Sequence, residues 1–543
     1  MISEVLVFII GIVPIAWLFF ALCILRLPGH VACPYGLLIA AALAFFVLAM
    51  PPLGLVTAAF EGLIFALWPI LLVIVAAMIL YKYSVETGGM ETIKRLLTGI
   101  SHDKRILVLI LAWGFGSFLE GVAGFGVPVL IPGAILVSLG FSPMFSIVAC
   151  LVANSVPTPF ATLGIPVTTL AGVTGLGADV LGFGTALQLL IPCLILPFFL
   201  VILTGGGIRA VKGVFLITLL AGLSLAAPIL LVTRFLGPEL PALLGSFCTI
   251  GCIALANKHF YKDTAHNRQY HISVSPASNI STEISIISTT NISAVSKKSA
   301  SKTNTLHTAV SDKPLMSVPQ ACLPFAIVLV IMLVTRLIGP VYKTLSNIKA
   351  DMIAYSGPDA YVLSFTFLLT PGLLILISVF LASVLQGYRI SALWHIIKTS
   401  LIESKNMALT IISIVAMAKI MVYSGMTGAI ALMLIAAFSV FYPLVAPVIG
   451  MFGVFITGSN TSCAILFGHL QDVAARAIGA SPPWIVSSNM SGAALGKMIS
   501  PQSIAIGLRI GGLDGEEGAI IRQTLKYSLF CVAIVCVITY IFA

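Results

Sequence analysis

Long apolar runs recur along this chain, and they limit the folds open to it more than any other feature. Each run has about the length that an α-helix needs to cross a membrane, roughly 20 residues. Because 59% of the residues are hydrophobic and only 8% are charged, too few charges exist to cover a soluble domain. We predict an all-α polytopic membrane protein of about 12 spans, two of them broken. The unbroken runs lie near residues 5–25, 35–56, 57–81, 185–204, 213–233, 238–256, 319–338, 361–385, 407–423 and 527–542.

The net charge of +10 has two explanations, nucleic-acid binding or basic side chains kept in cytoplasmic loops. A membrane protein favours the second, so we expect no nucleic-acid partner. The N-terminal run contains Glu4 and no preceding basic region, and it is longer than a signal peptide, so we expect a retained span. Ten scattered cysteines, without CxxC or paired Cys/His spacing, predict neither a disulfide framework nor a metal site, and we expect no cofactor.

A polar segment divides the chain into two halves. Residues 257–318 are rich in Ser, Thr and Asn and carry seven Lys/Arg against three Asp/Glu. This composition is typical of a poorly ordered linker on the cytoplasmic side. The predicted domains are an N-terminal transmembrane half (1–256), this linker and a C-terminal transmembrane half (319–543). Counting spans from a cytoplasmic linker places both termini outside.

Each half contains one apolar region whose two arms are short. Residues 104–140 have arms of 14 and 13 residues around the stretch GFGSFLEGVAGFG. At about 1.5 Å per residue each arm reaches roughly 20 Å, which is less than the hydrocarbon core of roughly 30 Å. Residues 443–478 repeat this plan around GSNTS. We predict two re-entrant hairpins that enter the membrane from opposite sides.

Each predicted hairpin precedes a span that is broken near its middle. The broken spans cover about 142–173 and 482–508. The two halves align directly, and their opposite orientation favours an inverted repeat over a chance match. Inverted-topology repeats with discontinuous helices are typical of secondary transporters. The matched pairs are Gly116 with Gly453, Phe118 with Phe455, Gly121 with Gly458, Asn154 with Asn489, and Pro166 with Pro501.

Polar side chains lie at these predicted breaks, at a depth where unpaired polar groups are costly. Close helix packing explains some of the glycines but not the polar side chains, which indicate a functional site. Half-helices that begin at both tips aim positive dipole ends at one point, which suits a small carboxylate. Hydroxyl and amide groups can hold a second polar group of the substrate. The predicted substrate-binding residues are Gly121, Gly124, Asn154, Ser155, Thr158, Ser459, Asn460, Thr461, Ser462, Asn489 and Ser491.

Two titratable residues are the predicted proton-coupling groups. Glu120 lies at the first tip, where an isolated carboxylate prefers its protonated form; the alternative is a structural role in its own turn. His469, in the second hairpin, is a candidate proton relay, or else a hydrogen-bonding residue in helix packing. Lys419 and Lys497 lie in predicted spans, where either can attract an anion or extend to the surface. We expect Glu61 to cap its span near the outer surface.

Four motifs resemble those of the L-lactate permease family: FLEGVAGFGVPV, LVANSVPTPFATLGIPV, GVFITGSNTSCAILF and GKMISPQSIAIG. The resemblance covers most of both halves. It implies a carrier of 2-hydroxy monocarboxylates such as lactate and glycolate, generally with protons, in a bacterial inner membrane. It also implies tips at residues 120–124 and 458–462, and an elevator-like movement of the core against a scaffold of outer helices. Asn460 departs from the pattern, which has an acidic residue there, and this departure bears on the stoichiometry and the coupling ion.

The sequence thus predicts a proton-coupled symporter for lactate or a related 2-hydroxy monocarboxylate. A sodium-coupled carboxylate transporter is the alternative, because neutral side chains and carbonyls at helix breaks also suit sodium. An anion channel is less favoured, because opposed hairpins suit alternating access. We find no Gly-x-Ser-x-Gly and no HExxH motif, so we do not expect an enzyme. The expected partners are the anion, a proton or sodium ion and the lipid bilayer; the oligomeric state is open, a homodimer included.

Overall fold

The computed structural model describes residues 4–25, 27–124, 126–262, 264–272, 316–357, 363–508, 510, 513 and 516–543. These residues are almost entirely helical, apart from an antiparallel pair of short strands, Lys349–Met352 and Leu363–Thr366. The α-helices of the N-terminal half are Glu4–Phe19, Gly29–Ala42, Pro52–Phe65, Leu72–Glu86, Gly89–Thr98, Lys104–Val108, Gly116–Val122, Val127–Ser138, Pro143–Ala153, Ala161–Thr174, Ala178–Gln188, Leu190–Gly205, Phe215–Phe235, Pro241–Phe260 and Ala265–Arg268. Those of the C-terminal half are Val318–Leu337, Gly339–Ser346, Pro371–Leu385, Ile390–Glu403, Lys405–Tyr423, Met426–Phe438, Tyr442–Thr457, Asn460–Ala477, Pro482–Gly496, Pro501–Leu508 and Glu517–Ile541.

Within the described residues, ten helices are long and apolar enough to cross a membrane, or 12 if each of two bent pairs is one span. The prediction of an all-helical, multi-pass membrane protein with broken helices is confirmed. Several spans differ from the prediction. The run 35–56 crosses a helix break before Pro52, and the run 185–204 crosses a 46° bend between the helices Ala178–Gln188 and Leu190–Gly205. The run 361–385 becomes α-helical only at Pro371, where the missing N–H of proline is harmless. The helix Met426–Phe438 was not among the predicted spans, and Gly425, with a φ of 81°, separates it from the preceding helix.

The first hairpin, residues 104–138, has a longer first arm than predicted. Helical structure continues through most of the glycine-rich stretch, so Glu120 lies in the last turn of a helix that ends at Val122, and the next helix begins at Val127. The glycines allow close packing there, since a Cβ atom at Gly121 would lie 3.1 Å from the Cβ atom of Ala242. The arm's 19 residues extend about 28 Å, and all of them except Lys104 are buried. Arm length alone therefore does not make this hairpin re-entrant.

The second hairpin, residues 442–477, lies where the sequence predicts it. Gly458 begins the turn with a left-handed conformation, at a φ of 70°, which glycine adopts without a steric penalty. The N–H group of Ser462 donates to the hydroxyl of Ser459 at 3.3 Å, which caps the second arm. The arms pack closely, because any Cβ atom at Gly453 would collide with the opposite arm.

Both predicted broken spans contain irregular backbone at mid-length. In the first broken helix (residues 143–174) the two helical parts are bent by 70°. Three consecutive residues, Thr162–Gly164, have φ values between 47° and 77°, a conformation that costs energy in non-glycine residues. In the second broken helix (residues 482–508) the short 3-10 turn Lys497–Ile499 and the extended residue Ser500 separate the two parts. Each half therefore supplies a hairpin followed by a broken helix.

The positions of irregular backbone do not coincide with the residues that match between the two halves. Asn154 ends the first helix of its broken pair, whereas its predicted counterpart Asn489 lies inside a helix. Likewise Gly458 forms a turn, while its predicted counterpart Gly121 is helical. The repeat thus holds for whole segments. The position of each backbone irregularity is decided by the packing of its own half.

The beginning of the predicted linker packs against the base of the first hairpin. Described residues between 257 and 272 include a short helix, and Asn267 in that helix is 1% exposed. Arg105 is fully buried and donates to Asp103 Oδ2 at 2.6 Å and to Asn267 Oδ1 at 3.0 Å. These residues therefore belong to the folded protein and not to a flexible tether. The remainder of the predicted linker, residues 273–315, lies outside the described residues.

Glu61 and Lys419 form a buried ion pair between the helices Pro52–Phe65 and Lys405–Tyr423. Their charged atoms lie 2.8 Å apart, and the side chains are 0% and 7% exposed. The Tyr423 hydroxyl donates to the same carboxylate, 2.9 and 3.0 Å from its two oxygens. The expectations that Glu61 caps its helix and that Lys419 extends to the surface or attracts an anion are therefore wrong. Each charge is compensated inside the protein, where an uncompensated charge is costly.

Lys419→Met is expected to destabilise the protein, because it leaves the Glu61 carboxylate buried without a counter-charge, at a cost of about 3–5 kcal/mol. The double variant Glu61→Gln/Lys419→Met removes both charges and is expected to regain most of this loss. Thermal unfolding of the purified protein in detergent, followed by tryptophan fluorescence, measures both effects. Lys526→Met, at an exposed lysine, is the matched control. A single variant that unfolds at the parental midpoint contradicts the prediction.

Candidate functional site

The hairpin turns and the breaks of the broken helices meet in the protein interior. The first hairpin contacts the second broken helix directly, since a Cβ atom at Gly126 would lie 2.5 Å from Ile506 Cδ1. The second hairpin is joined to the same broken helix by a hydrogen bond of 2.6 Å, which Lys497 Nζ donates to Gly458 O. The first hairpin also packs against the first broken helix. Both halves of the chain therefore contribute to one junction.

Four side chains at this junction contain buried polar atoms that have no hydrogen-bond partner among the described residues. Glu120 and Asn154 come from the N-terminal half, and Asn460 and Ser500 come from the C-terminal half. Their exposed fractions are 3%, 2%, 5% and 0%. The atoms are Glu120 Oε2, Asn154 Oδ1, both side-chain polar atoms of Asn460, and Ser500 Oγ. Buried polar atoms are almost always paired, so such a group from four different breaks indicates a site for a polar ligand.

Lys497 supplies the positive charge at this junction. Its ammonium group can donate three hydrogen bonds, and one is used on Gly458 O. Its charge acts on the carboxyl group of Glu120, beside which the Asn154 side chain also lies. Among the ion pairs between described residues there is none between Glu120 and Lys497. The two opposite charges thus face one site from opposite halves without contacting each other.

Three helices begin at the junction: Val127–Ser138, Asn460–Ala477 and Pro501–Leu508. The first N–H groups of a helix lack partners within the helix and carry partial positive charge, which favours an anion. Together with the Lys497 ammonium, these groups suit a carboxylate. Amide and hydroxyl side chains of Asn154, Asn460 and Ser500 can accept and donate hydrogen bonds to a hydroxyl group. No three His, Cys, Asp or Glu side chains in the described part of the chain lie close enough to hold a metal ion.

Several predicted binding residues form hydrogen bonds within their own segment. The Ser155 hydroxyl donates to Val152 O at 2.9 Å, and the Thr158 hydroxyl donates to Ser155 O at 2.7 Å. Such bonds close the irregular turn of the first broken helix. Both hydroxyls lie near Asn154 in the chain, but their protons are directed to the backbone.

Asn489 and Ser491 lie in packing contacts between helices before the second break. Gln471 Nε2 donates to Asn489 Oδ1 at 3.4 Å, and the Ser491 hydroxyl donates to Gln188 Oε1 at 2.8 Å. Both residues are fully buried. Asn489 Nδ2 also donates to Cys463 Sγ at 3.8 Å, in the first turn of the second arm of the second hairpin. The Ser491 hydroxyl, by contrast, bonds towards the helix Ala178–Gln188, as interior polar residues that fix helix packing do.

The other predicted binding residues lie at or next to the turns. Gly124, with a φ of 57°, is in the first turn, while Gly121 faces the neighbouring helix one turn earlier. Ser459 caps the second arm of the second hairpin. Thr461 and Ser462 are buried in the first turn of that arm, 8% and 6% exposed, where they flank the group of unpaired side chains.

His469 lies away from the hairpin turns. It follows Asn460 by nine residues in the same helix, a distance of about 14 Å. Charges on Asp472, Lys419 and Arg476 act on it. The structure therefore places His469 within the electrostatic reach of the Glu61–Lys419 pair and does not bring it to Glu120.

Ser500 was not among the predicted site residues, and Lys497 was predicted either to attract an anion or to extend to the surface, without a place among the binding residues. A local signal exists for both. The residue before a proline is biased away from helical backbone, so Pro501 marks Ser500 as extended and indicates a helix break just before it. A lysine at such a break, inside an apolar segment, is a candidate ligand for an anion. What the sequence cannot give is the contact with the Gly458 carbonyl.

The chain is similar in sequence to known proteins over most of its length. The profile of the family described as L-lactate permease matches residues 7–543. An L-lactate permease of Streptococcus iniae is 39% identical over 481 residues, which are 88% of this chain and 93% of that protein. The glycolate permease GlcA of Escherichia coli (strain K12) is 33% identical, covering 98% of this chain and 94% of its own. Among solved structures, the YdaH transporter of Alcanivorax borkumensis is 14% identical with a TM-score of 0.48, covering 94% of this chain and 98% of that chain.

The family match spans both hairpins, both broken helices and the junction between them. It agrees with the four motifs, which lie in these segments. An L-lactate permease of Bacillus subtilis (strain 168) also aligns over 98% of this chain and 95% of its own, with 34% identity. The chain therefore belongs to the L-lactate permease family.

Proposed function

We propose that this protein is a secondary active transporter that imports L-lactate, or a related 2-hydroxy monocarboxylate such as glycolate, together with protons. The observation that carries the proposal is the group of unpaired, buried polar side chains beside Lys497, where four breaks meet. The names of the relatives support the substrate class, since they include L-lactate permeases and a glycolate permease. Inverted repeats with broken helices suit alternating access.

The substrate's two polar groups find different partners at this junction. Its carboxylate is held by the Lys497 ammonium and by the N-terminal N–H groups of the second arm of the second hairpin. Its 2-hydroxyl group lies among Asn154, Asn460 and Ser500, whose unpaired atoms can both donate and accept. A simple carboxylate without a hydroxyl would leave these buried atoms unpaired, which costs affinity.

Glu120 is the proposed proton carrier. Its carboxyl group is buried, and one of its oxygens has no partner among the described residues. The alternative structural role, bonding to amides of its own turn, is not supported for that oxygen. His469 is a weaker candidate for a proton relay, because it lies about 14 Å along its helix from Asn460 and would act apart from the substrate.

Proton coupling is favoured over sodium coupling by one contact. The carbonyl oxygen of Gly458, the kind of ligand that sodium would need at the tip, accepts a hydrogen bond from the Lys497 ammonium at 2.6 Å. A cation already occupies that position. Asn460 also lacks the negative charge of the acidic residue in the family pattern, so the second tip offers sodium little attraction.

The proposed setting is a bacterial inner membrane, with the linker in the cytoplasm and both termini outside. Basic residues that this orientation places inside include Lys94, Arg95, Lys104, Lys398 and Lys405, in agreement with the positive-inside rule. The transport cycle is proposed to move the hairpins and broken helices against the outer helices.

Proteoliposomes that contain the purified protein are expected to accumulate labelled L-lactate under an inward proton gradient. Glu120→Gln is expected to exchange lactate across the membrane without accumulating it, because the variant cannot take up the coupled proton. Glu516→Gln, at an exposed glutamate, should behave like the parent. A sodium gradient at fixed pH is expected to drive no accumulation. Sodium-driven uptake, together with parental behaviour of Glu120→Gln, would refute proton coupling through this residue.

Asn460→Asp is expected to raise the KM for L-lactate about tenfold or more at pH 7, because a carboxylate beside the binding site repels the substrate and competes for Lys497. Asn460→Ser keeps a neutral polar group and is expected to have a smaller effect. Initial rates of uptake into proteoliposomes give both KM values. Asn347→Asp, at an exposed asparagine, is the control for added charge. An unchanged KM in Asn460→Asp would place the substrate away from this tip.

A further inference from the structure

We propose that Glu120 and Lys497 form a charge-balanced pair, so that the binding site moves across the membrane only when its net charge is zero. This inference rests on the proposed function and states how proton uptake and substrate binding are coupled in it. A carboxylate substrate can bind only when Glu120 has taken up a proton, and Lys497 then becomes the counter-charge of the substrate. The rule requires one proton for each carboxylate, with no net charge moved.

The geometry places one positive and one negative group at the junction, each contributed by a different half. Glu120 is 3% exposed. Among the described residues, Lys497 is the charged residue that interacts electrostatically with its carboxyl group. Neighbouring elements contribute neutral groups at this point: Asn154 from the first broken helix, Ala242 from the helix beside Gly121, and Ile506 from the second broken helix. A further buried carboxylate, Glu239, lies beside Gly164 of the first broken helix and has an interaction of its own.

Lys497 is positioned to hold a second carboxylate. Its hydrogen bond to Gly458 O, at 2.6 Å, fixes the ammonium group at the second hairpin turn. Within the part of the chain that the structure describes, two of its three N–H donors remain for a ligand. The described residues contain no direct ion pair between Glu120 and Lys497, so in the proposed rule the ammonium group is available to a substrate carboxylate.

The free-energy cost of burying a net charge then determines which of four states of the site can move across the membrane. With Glu120 ionised and no substrate, the charges of Glu120 and Lys497 sum to zero. With Glu120 protonated and a carboxylate bound, the charges of the carboxylate and Lys497 also sum to zero. A proton without substrate leaves one positive charge, and a substrate without a proton leaves one negative charge. An uncompensated charge is costly inside a protein and within a membrane, so the last two states are blocked.

The binding step balances in protons and charge. The Glu120 carboxylate accepts one proton from the aqueous side, forming its O–H bond, and its electrostatic attraction to Lys497 is lost. The substrate carboxylate enters and accepts hydrogen bonds from the Lys497 ammonium, which stays protonated throughout. Release on the other side reverses both steps. No covalent bond to the substrate forms or breaks.

Calorimetric titration of the purified protein with L-lactate at pH 7 tests the rule. Titrations in two buffers with different ionisation enthalpies give the number of protons taken up on binding. The parent is expected to take up about one proton for each lactate bound, because the neutral empty site has Glu120 ionised. Glu120→Gln is expected to bind lactate with no proton uptake. Lys497→Gln is expected to raise the Kd at least about 30-fold, since truncating one partner of a buried charge pair is that costly.

Two further variants keep the test independent of folding defects. Lys497→Arg retains the charge and is expected to bind lactate more tightly than Lys497→Gln. Lys526→Gln, at an exposed lysine, should keep the parental Kd. Thermal unfolding of each variant identifies any that is misfolded, and the proton count of Glu120→Gln does not depend on the lysine variants.

Three results would overturn the inference: lactate binding by the parent without proton uptake, undiminished proton uptake by Glu120→Gln, or a parental Kd in Lys497→Gln. In proteoliposomes, a potassium diffusion potential is expected to leave proton-driven lactate uptake unchanged, and a strong response to it would also contradict the rule. Failure of the parent to bind either L-lactate or glycolate is a different result, because it would remove the proposed function itself.

Discussion

Irregular backbone in the interior of a membrane protein is the constraint on which this structure depends. No water is available there to satisfy free N–H and C=O groups, so a helix break must be buried in protein or line a cavity. The chain meets this requirement by bringing its breaks together. Lys497 satisfies the carbonyl of Gly458 at 2.6 Å, while Glu120, Asn154 and Asn460 retain unpaired atoms. The same junction therefore solves a folding problem and leaves polar groups for a ligand.

Contacts outside the polar junction hold the surrounding helices together. The buried pair of Glu61 and Lys419 joins the helices Pro52–Phe65 and Lys405–Tyr423 at 2.8 Å. Arg105 joins the base of the first hairpin to Asn267, in the short helix Ala265–Arg268. Glycines bring backbones close where side chains would separate them, as at Gly62, where a Cβ atom would lie 2.5 Å from Ala416 Cα. These contacts pack tightly, as protein interiors generally do, and they use none of the polar groups of the junction.

Much of this architecture could be predicted from the sequence. Apolar runs give the spans, because length and hydropathy are local properties, and Gly, Pro and Asn mark the hairpins and breaks. Glu120, Asn154 and Asn460 could be identified because polar residues in apolar segments stand out. The partners of charged side chains could not be predicted: Glu61 pairs with a residue more than 350 positions away, and the order of spans does not determine which helices touch.

The local hydrogen bonds of other residues could not be predicted from the sequence. Hydroxyls such as that of Thr158 bond to backbone carbonyls of the same turn, a common alternative for Ser and Thr. The continuation of the helix through Gly121 follows from packing against Ala242, which outweighs the low helix propensity of glycine. In both cases the deciding contact is a property of the folded backbone.

The division of the junction between two halves has a consequence for how the chain can change. The acid at position 120 belongs to one repeat and the base at position 497 to the other, so either half folded alone would bury a charge without its opposite. Such a half would be a poor membrane protein, because isolated charges are costly at that depth. The two repeats therefore have to change together: a change of charge at position 120 or 497 in one repeat is tolerated only with the opposite change of charge in the other repeat.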